Sequence, residues 1–367
     1  MPLRCGGEGR AGGRLPLSAH PEEPTHDHPH RDRVDLSDQV LGRAAGYGSR
    51  MLIVAVVGPT ATGKSDLALD LAQALAPAEI VNADAYQLYR GMDVGTAKVP
   101  VDERRGIAHH QIDVLDPAAD ASVADYQAAA RADLDEIAGR GARPVVVGGS
   151  GLYVRALLDE MNFPGTDPDV RARLEERAER EGTRALHAEL ARLDPAAATS
   201  IGPSNTRRVV RALEVVAITG EPFTANLPRQ EYVRPAVQIG LDCDRETLDT
   251  RVAGRVERMW EQGLLDEVEA LVPGLGRTAE RAVGYAEVLA HLRGEITADQ
   301  AREQITANTR RLARKQMGWF GRDPRVHWLD AQSPTLLADA LQIVRAADDG
   351  TLDARTDERP TRRSLGS

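Results

Sequence analysis

The chain has 367 residues, of which 46 are Lys or Arg and 56 are Asp or Glu, for a net charge of −10. That balance excludes a protein that coats nucleic acid through its overall charge, so any such contact has to be a local basic patch. Hydrophobic residues make up 42% and charged residues 28%, which describes a globular protein, and no apolar run approaches the ~20 residues that span a bilayer.

A length beyond about 250–300 residues implies more than one lobe. Only Cys5 and Cys243 are available, which gives neither a disulfide framework nor a Cys-rich zinc site and fits a reducing cytoplasm. No membrane partner is expected, and the chain is expected to act as a monomer.

Residues 1–50 hold 8 Gly and 5 Pro, with seven acidic and seven basic residues. This composition approaches low-complexity disorder, so a disordered extension is expected there. It lacks the apolar stretch of a secretory signal and the charge bias of a transit peptide. His26, His28 and His30 read as a solvated polar tail rather than a metal site. The composition changes abruptly at Met51, which opens a Val/Ile-rich run, and translation is expected to begin there.

From Met51 onward strand and helix alternate. MLIVAVV (51–57) is a short β-branched run bounded by Gly58 and Pro59, and SDLALDLAQAL (65–75) places Leu67, Leu71 and Leu75 four apart before Pro77, the spacing of a helix face with a stop signal. Segments 79–84, 107–115, 144–149, 236–242 and 325–330 read as further strands. Helical stretches at 122–138, 245–272 and 298–320 lie among them, so a parallel sheet covered on both faces follows. Between Asp167 and Arg229 the strand pattern lapses into charged amphipathic helices. The expected organisation is an α/β core over 51–166, a helical insertion over 167–229, a second part of the core over 230–345 ending in a basic helix, and a disordered tail over 346–367.

Gly58-Pro59-Thr60-Ala61-Thr62-Gly63-Lys64-Ser65 matches a phosphate-binding loop between a strand and a helix. Its small residues let backbone N–H groups wrap a phosphate, Lys64 adds a cation, and Ser65 can ligate Mg²⁺. The loop implies a P-loop NTPase-like core that binds a di- or triphosphate, ATP among the candidates. An ATP-hydrolysing member of this fold ends a neighbouring apolar strand in Asp. The strand at 144–149 instead runs into Ser150. Asp84 ends the segment EIVNAD on the same rim of the sheet. As a residue type there it fits a helix cap, a magnesium-shell carboxylate or a general base toward an incoming nucleophile.

Segment 302–325 carries seven basic residues (Arg302, Arg310, Arg311, Arg314, Lys315, Arg322, Arg325) against Glu303 and Asp323. Ile305, Leu312 and Trp319 recur every seven residues, which predicts one packed side and a basic outer side facing phosphates. Trp319 and Phe320 read as core.

With NADAYQLYRGMDVGTAKV around Asp84, GPTATGKS, VGGSGLYVRALL (147–158), NTRRVVRALEV (205–215), RAVGYAEVL (281–289) and TRRLARKQMGWF (309–320), the chain resembles the tRNA dimethylallyltransferases, from about Ile53 to Asp330. The resemblance implies transfer of a dimethylallyl group from dimethylallyl diphosphate to the exocyclic amine of the adenosine 3′ to the anticodon. In that family the loop holds diphosphate with Mg²⁺ and no phosphate moves, which accounts for the missing ATPase carboxylate.

The resemblance makes Asp84 the general base, places Thr60 near the substrate, and aims Ser150, where the family usually has Thr, at the leaving oxygen. Arg255 is expected to close over the diphosphate. Asp84, Ala85, Tyr86 and Gln87 correspond to a segment touching the target nucleotide, with Ala85 replacing a more usual Ser. Arg171, Arg207, Arg208 and Arg211 match tRNA-contacting positions, and Arg310, Arg311, Arg314 and Lys315 extend the basic surface. The rival readings are a P-loop small-molecule or nucleotide kinase, favoured only if ATP is consumed, and a non-catalytic RNA-binding ATPase, recognised by tRNA affinity without covalent product.

Overall fold

The computed structural model describes residues 51–226 and 230–352. The N-terminal extension with His26, His28 and His30, and the end of the C-terminal tail from 353, lie outside the described residues. The strands are β1 (Ile53–Val57), β2 (Ala78–Asn82), β3 (His109–His110), β4 (Arg143–Gly148), β5 (Ala236–Asp242) and β6 (Val326–Asp330). The helices of the first part of the core are α1 (Lys64–Ala74), α2 (Val123–Gly139) and α3 (Gly151–Leu158). The insertion contributes α4 (Pro168–Glu181), α5 (Thr183–Leu193), α6 (Pro195–Ser200) and α7 (Thr206–Thr219). After it come α8 (Arg245–Glu261), α9 (Leu264–Leu271), α10 (Tyr285–Leu292), α11 (Ala298–Phe320) and α12 (Leu336–Asp348).

All six strands pair in parallel in one sheet of order β3-β2-β4-β1-β5-β6. β1 is central and buried along its whole length. Its side chains alternate between two cores: Val54 and Val56 pack with Leu67 and Leu71 of α1 and Val344 of α12, while Ile53, Ala55 and Val57 pack with Leu134 of α2, Leu157 of α3 and Phe320 of α11. A strand covered on both faces needs an unbroken β-branched run, and IVAVV supplies one. Because β4 lies on one side of β1 and β5 on the other, the crevice beyond their carboxyl ends is a topological switch point, where open α/β sheets bind ligands. The insertion has its own core of Leu174, Leu186, Leu190, Val209 and Leu213.

Several local expectations are corrected. The strand expected over 107–115 reduces to two residues, because Gln111 and Asp113 take positive φ angles of 57° and 58° that end an extended run. The helix expected over 245–272 is two, broken at Gly263 with φ 92°. The order expected to end at Arg345 continues through Asp348. Asp84 stands two residues beyond the end of β2, not at it. On α11 the packed face is Ala301, Ile305, Ala313, Met317 and Phe320, and Trp319 is 38% exposed. A strict seven-residue repeat drifts around an α-helix of 3.6 residues per turn, which is why the stripe begins buried at Ile305 and has left the packed face by Trp319.

The insertion joins the core at a charged knot. Asp159 is fully buried, and Arg325 holds both its oxygens at 2.7 and 3.0 Å while Arg155 adds a third contact at 3.0 Å. Asp159 also bridges Tyr232 across the two connections of the insertion, and the Arg325 guanidinium lies 4.2 Å from the Tyr232 ring centre. Removing Asp159 takes from Arg325 one of its two carboxylates and from Arg155 its buried partner, leaving Asp323 as the remaining acid of the knot. Asp159→Ala should therefore lower the unfolding free energy in urea by about 3–5 kcal/mol; a loss under about 1 kcal/mol would mean the knot is well solvated.

Candidate active site

β1 delivers the chain into Gly58, whose φ is 132° and where a Cβ would stand 2.7 Å from the Leu241 carbonyl of β5. Only glycine makes that exit from the sheet. Ala61 and Gly63 follow with positive φ angles of 65° and 87°, the local chirality that turns successive N–H groups toward one point. α2, α4, α8 and α11 are capped by the side chains of Ser122, Asp167, Asp244 and Thr297, but α1 begins at Gly63 with no side-chain cap. Its first-turn amides remain for an anion.

The loop is held from three directions. Thr62 Oγ1 donates to the Pro59 carbonyl at 2.8 Å, and Lys64 Nζ donates to the same oxygen at 2.6 Å. The Thr60 N–H donates to Gln316 Oε1 of α11 at 2.8 Å, and Arg255 Nη1 of α8 donates to Thr60 Oγ1 at 3.2 Å. Burial, reinforced by the Arg255 charge and opposed by Asp84, pushes the Lys64 ammonium down to about 8. Burial likewise lowers the Arg255 guanidinium, against the pull of Asp84. Two cations crowd one small space, as an anion-binding site requires.

Asp84 comes from the turn after β2, which lies beyond β4 from β1 in the sheet. Asn82 fixes it: Asn82 Oδ1 accepts from the Asp84 N–H at 2.9 Å, while Asn82 Nδ2 donates to the carbonyls of Asp84 at 3.0 Å and Gln111 at 2.8 Å. Asp84 Oδ1 in turn accepts from the Tyr86 N–H at 3.0 Å. Ser150 Oγ accepts from the Ala85 N–H at 3.2 Å, so the turn after β4 braces the Asp84 segment. That turn packs tightly under α11, since a Cβ at Gly149 would collide with the Gln316 amide.

Asp84, Thr60, Arg255 and Gln316 together line one chamber of about 80 Å³, with Tyr86, Gly95 and Thr96 beside them. Gln87 Nε2 donates to the Thr96 carbonyl at 3.0 Å, and Glu267 accepts from the N–H groups of Asp93, Val94 and Gly95 at 2.9, 2.6 and 3.0 Å, which fixes that wall. A wider cleft of about 770 Å³ opens from Ser65 and Arg258, and Arg255 and Met259 line both spaces. Burial first, then Asp84, raises the Tyr86 hydroxyl, while Arg281 and Arg207 lower it. Arg207 of the insertion thus bears electrostatically on this site.

The basic residues divide into two groups. Arg207, Arg208, Arg311, Arg314 and Lys315 are exposed. Arg171 and Arg211 close on the fully buried Glu214 at 2.6 and 2.9 Å, and Arg310 on Asp249 at 3.3 Å. Burial alone would raise Glu214, but the two guanidiniums hold its carboxyl below the usual range. Sequence reasoning missed Gln316, Arg281, Asn82 and Glu267 as site builders. Gln316 and Arg281 lie within the quoted blocks KQMGWF and RAVGYAEVL, yet nothing in a neutral amide's spacing marks it as the partner of a residue 256 positions away.

The fold and loop define a P-loop-type α/β protein in which Asp84 and Thr60 of the loop line one chamber. Residues 87–323 match the family described as IPP transferase. The tRNA dimethylallyltransferase of Thermobifida fusca is 58% identical over 299 residues, covering 80% of this chain and 94% of the relative. That of Bifidobacterium longum subsp. infantis is 52% identical over 313 residues, covering 83% and 95%. Among solved structures, the full-length tRNA isopentenylpyrophosphate transferase from Bacillus halodurans aligns with TM-score 0.61 at 37% identity, covering 82% of this chain and 98% of that one. A eukaryotic dimethylallyltransferase acting on tRNA aligns with TM-score 0.72 at 24% identity, covering 84% and 81%, and supports the fold. The chain belongs to the tRNA dimethylallyltransferase family. No helix of the described residues is long and apolar enough to cross a membrane.

The Lys64 environment has a measurable consequence. A bound diphosphate favours the protonated ammonium, so affinity should be constant below pH 8 and fall above it as the free loop loses the proton near about 8, by up to about tenfold per pH unit. Calorimetric titration of dimethylallyl diphosphate from pH 6.5 to 9.5 reads this directly; a flat profile would remove Lys64 from the binding charge.

Proposed function

We propose that this protein transfers a dimethylallyl group from dimethylallyl diphosphate to the exocyclic amine of the adenosine 3′ to the anticodon of tRNA. The observation that carries this reading is that a carboxylate, Asp84, lines one chamber with Thr60 of the phosphate loop and with Arg255. The loop amides, Lys64 and Arg255 hold the diphosphate, and Thr60 is oriented between Arg255 and Gln316. In the transfer the amine nitrogen bonds to C1 of the donor, the bond from C1 to the diphosphate oxygen breaks, and diphosphate leaves with the electron pair. Asp84 takes the amine proton. An aromatic amine is a weak nucleophile, so orientation against C1 contributes much of the rate, and fixed cations at the departing oxygens contribute the rest. Ser150, braced against the Ala85 N–H, keeps a hydroxyl proton to offer the leaving oxygen.

Mg²⁺ is part of the reading. The described residues contain no group of three or more His, Cys, Asp or Glu suited to a metal. An ion that keeps its waters and binds through one protein oxygen, here Ser65 Oγ, plus substrate phosphates would suit the loop. When bound, Mg²⁺ would supply charge neutralisation of the diphosphate.

The acceptor side rests on the exposed Arg207, Arg208, Arg311, Arg314 and Lys315, with Tyr86 and Ala85 at the mouth. The tRNA anticodon stem-loop is read as clamped between insertion and core, the adenosine being drawn from its stack as base-modifying enzymes require. The reading includes a monomer acting in the cytoplasm.

Two measurements test it. Asp84→Asn should lower the single-turnover rate of prenyl transfer by about 10²–10⁴-fold while donor affinity changes little; near-normal chemistry in this variant would remove Asp84 as the base. Neutralising Arg311, Arg314 and Lys315 together should reduce the slope of log affinity for tRNA against log salt by about 2–3 units, at ~0.7–0.9 per lost contact. An unaltered slope in a folded variant would place the RNA elsewhere.

A further inference from the structure

The chamber is too small for the acceptor base and closely matched to the donor's tail. A dry cavity of about 150 Å³ holds benzene, or roughly 25 Å³ per carbon, so a chamber of about 80 Å³ takes roughly three to four carbons. Adenine has ten heavy atoms and must stay at the mouth, beside Asp84 and Tyr86. A dimethylallyl donor with its reacting C1 held at the mouth has four carbons beyond it, and these fit.

The walls suit them. Besides Gly95, Thr309 and the polar residues named above, the lining is Val256, Met259, Ala282, Val283, Ile305 and Leu312. Five of these belong to or pack against the buried cluster under α8 to α11. An apolar tail therefore leaves water on entry, while the diphosphate stays with Lys64 and Arg255.

One wall is thin. Met259 of α8 lines this chamber on one side and the cleft of about 770 Å³ on the other, and it is only 7% exposed. Ile305, by contrast, lines the chamber and not that cleft. Resting on the prenyl-transfer reading above, we infer that Met259 is a specificity-determining residue, a partition that limits the donor to one five-carbon unit. Its side chain stands between the chamber and that cleft, whose volume has room for a second unit. A geranyl donor would make and break the same bonds at C1, with the same proton passing to Asp84, so the limit is one of space and not of chemistry.

The test uses the full chain, an anticodon stem-loop RNA, and dimethylallyl or geranyl diphosphate as donor, with nucleoside digestion and mass analysis to identify the product. The wild type should favour dimethylallyl by about 100-fold or more in kcat/KM, since a single extra methylene is worth about 10–200-fold in an apolar pocket. Met259→Ala joins chamber and cleft and should narrow that preference at least about tenfold, through gained geranyl transfer. Met259→Leu keeps the volume and should preserve the wild-type ratio within about threefold. Truncation at a buried site risks the fold, so Met259→Val serves as the milder variant, with an intermediate ratio expected.

Two results would overturn the role of Met259 alone: a wild type that uses both donors equally, or truncated variants that still transfer dimethylallyl with an unchanged ratio. A wild type that moves neither group to RNA would instead overturn the reading beneath it.

Discussion

The Thr60 N–H bond to Gln316 is the contact on which the rest of the site depends. A phosphate loop is built from residues with wide backbone freedom, and Gly58, Ala61 and Gly63 sit at angles few residues adopt. Left alone, such a segment loses its shape, because fixing each residue costs about 1–2 kcal/mol of conformational entropy. Gln316 projects from near the C-terminal end of a 23-residue helix, is 8% exposed, and reaches the loop's third residue at 2.8 Å. The same amide lies over Gly149 after β4, whose neighbour Ser150 braces the Asp84 segment. One neutral side chain thus sets the spacing between the anion cradle and the carboxylate that faces it.

This arrangement explains how an acidic protein assembles a cationic site. The positive charges that matter are few and differently held. Lys64 and Arg255 are held close against the cost of burial, which the Asp84 charge offsets in part. Arg171 and Arg211 share the single carboxylate of Glu214, and Arg325 is paired with Asp159 and Asp323. What remains exposed on α7 and α11 is Arg207, Arg208, Arg311, Arg314 and Lys315, the basic side chains on which the proposed contact with tRNA rests.

Much of this was legible in the sequence. The unbroken IVAVV run, the glycines of the loop and its Lys-Ser ending identify the central strand and the phosphate site, because a strand buried on both faces and a backbone cradle each tolerate few residue types. The charged helices after Asp167 mark the insertion for the same reason. Less legible was whatever depends on distant partners. Arg171 and Arg211 look like free cations until Glu214 is placed between them, 43 residues from the first. The seven-residue stripe through Trp319 looks buried until the helix is seen to turn its 305, 313, 317 and 320 positions inward. Asn82, Gln316 and Glu267 act through hydrogen bonds to main-chain groups, and a polar residue that satisfies a backbone amide leaves no period or motif behind.

The central claim is that the phosphate loop holds a leaving group and not a transferred one. The direct measurement incubates the protein and bulk tRNA with prenyl-labelled dimethylallyl diphosphate, or in parallel with ATP labelled in its terminal phosphate, and follows each label into digested nucleosides and small molecules. The expected result is prenyl label on a modified adenosine and no phosphate moved to any acceptor. Phosphate label on an acceptor, with none from the prenyl donor, would contradict the account.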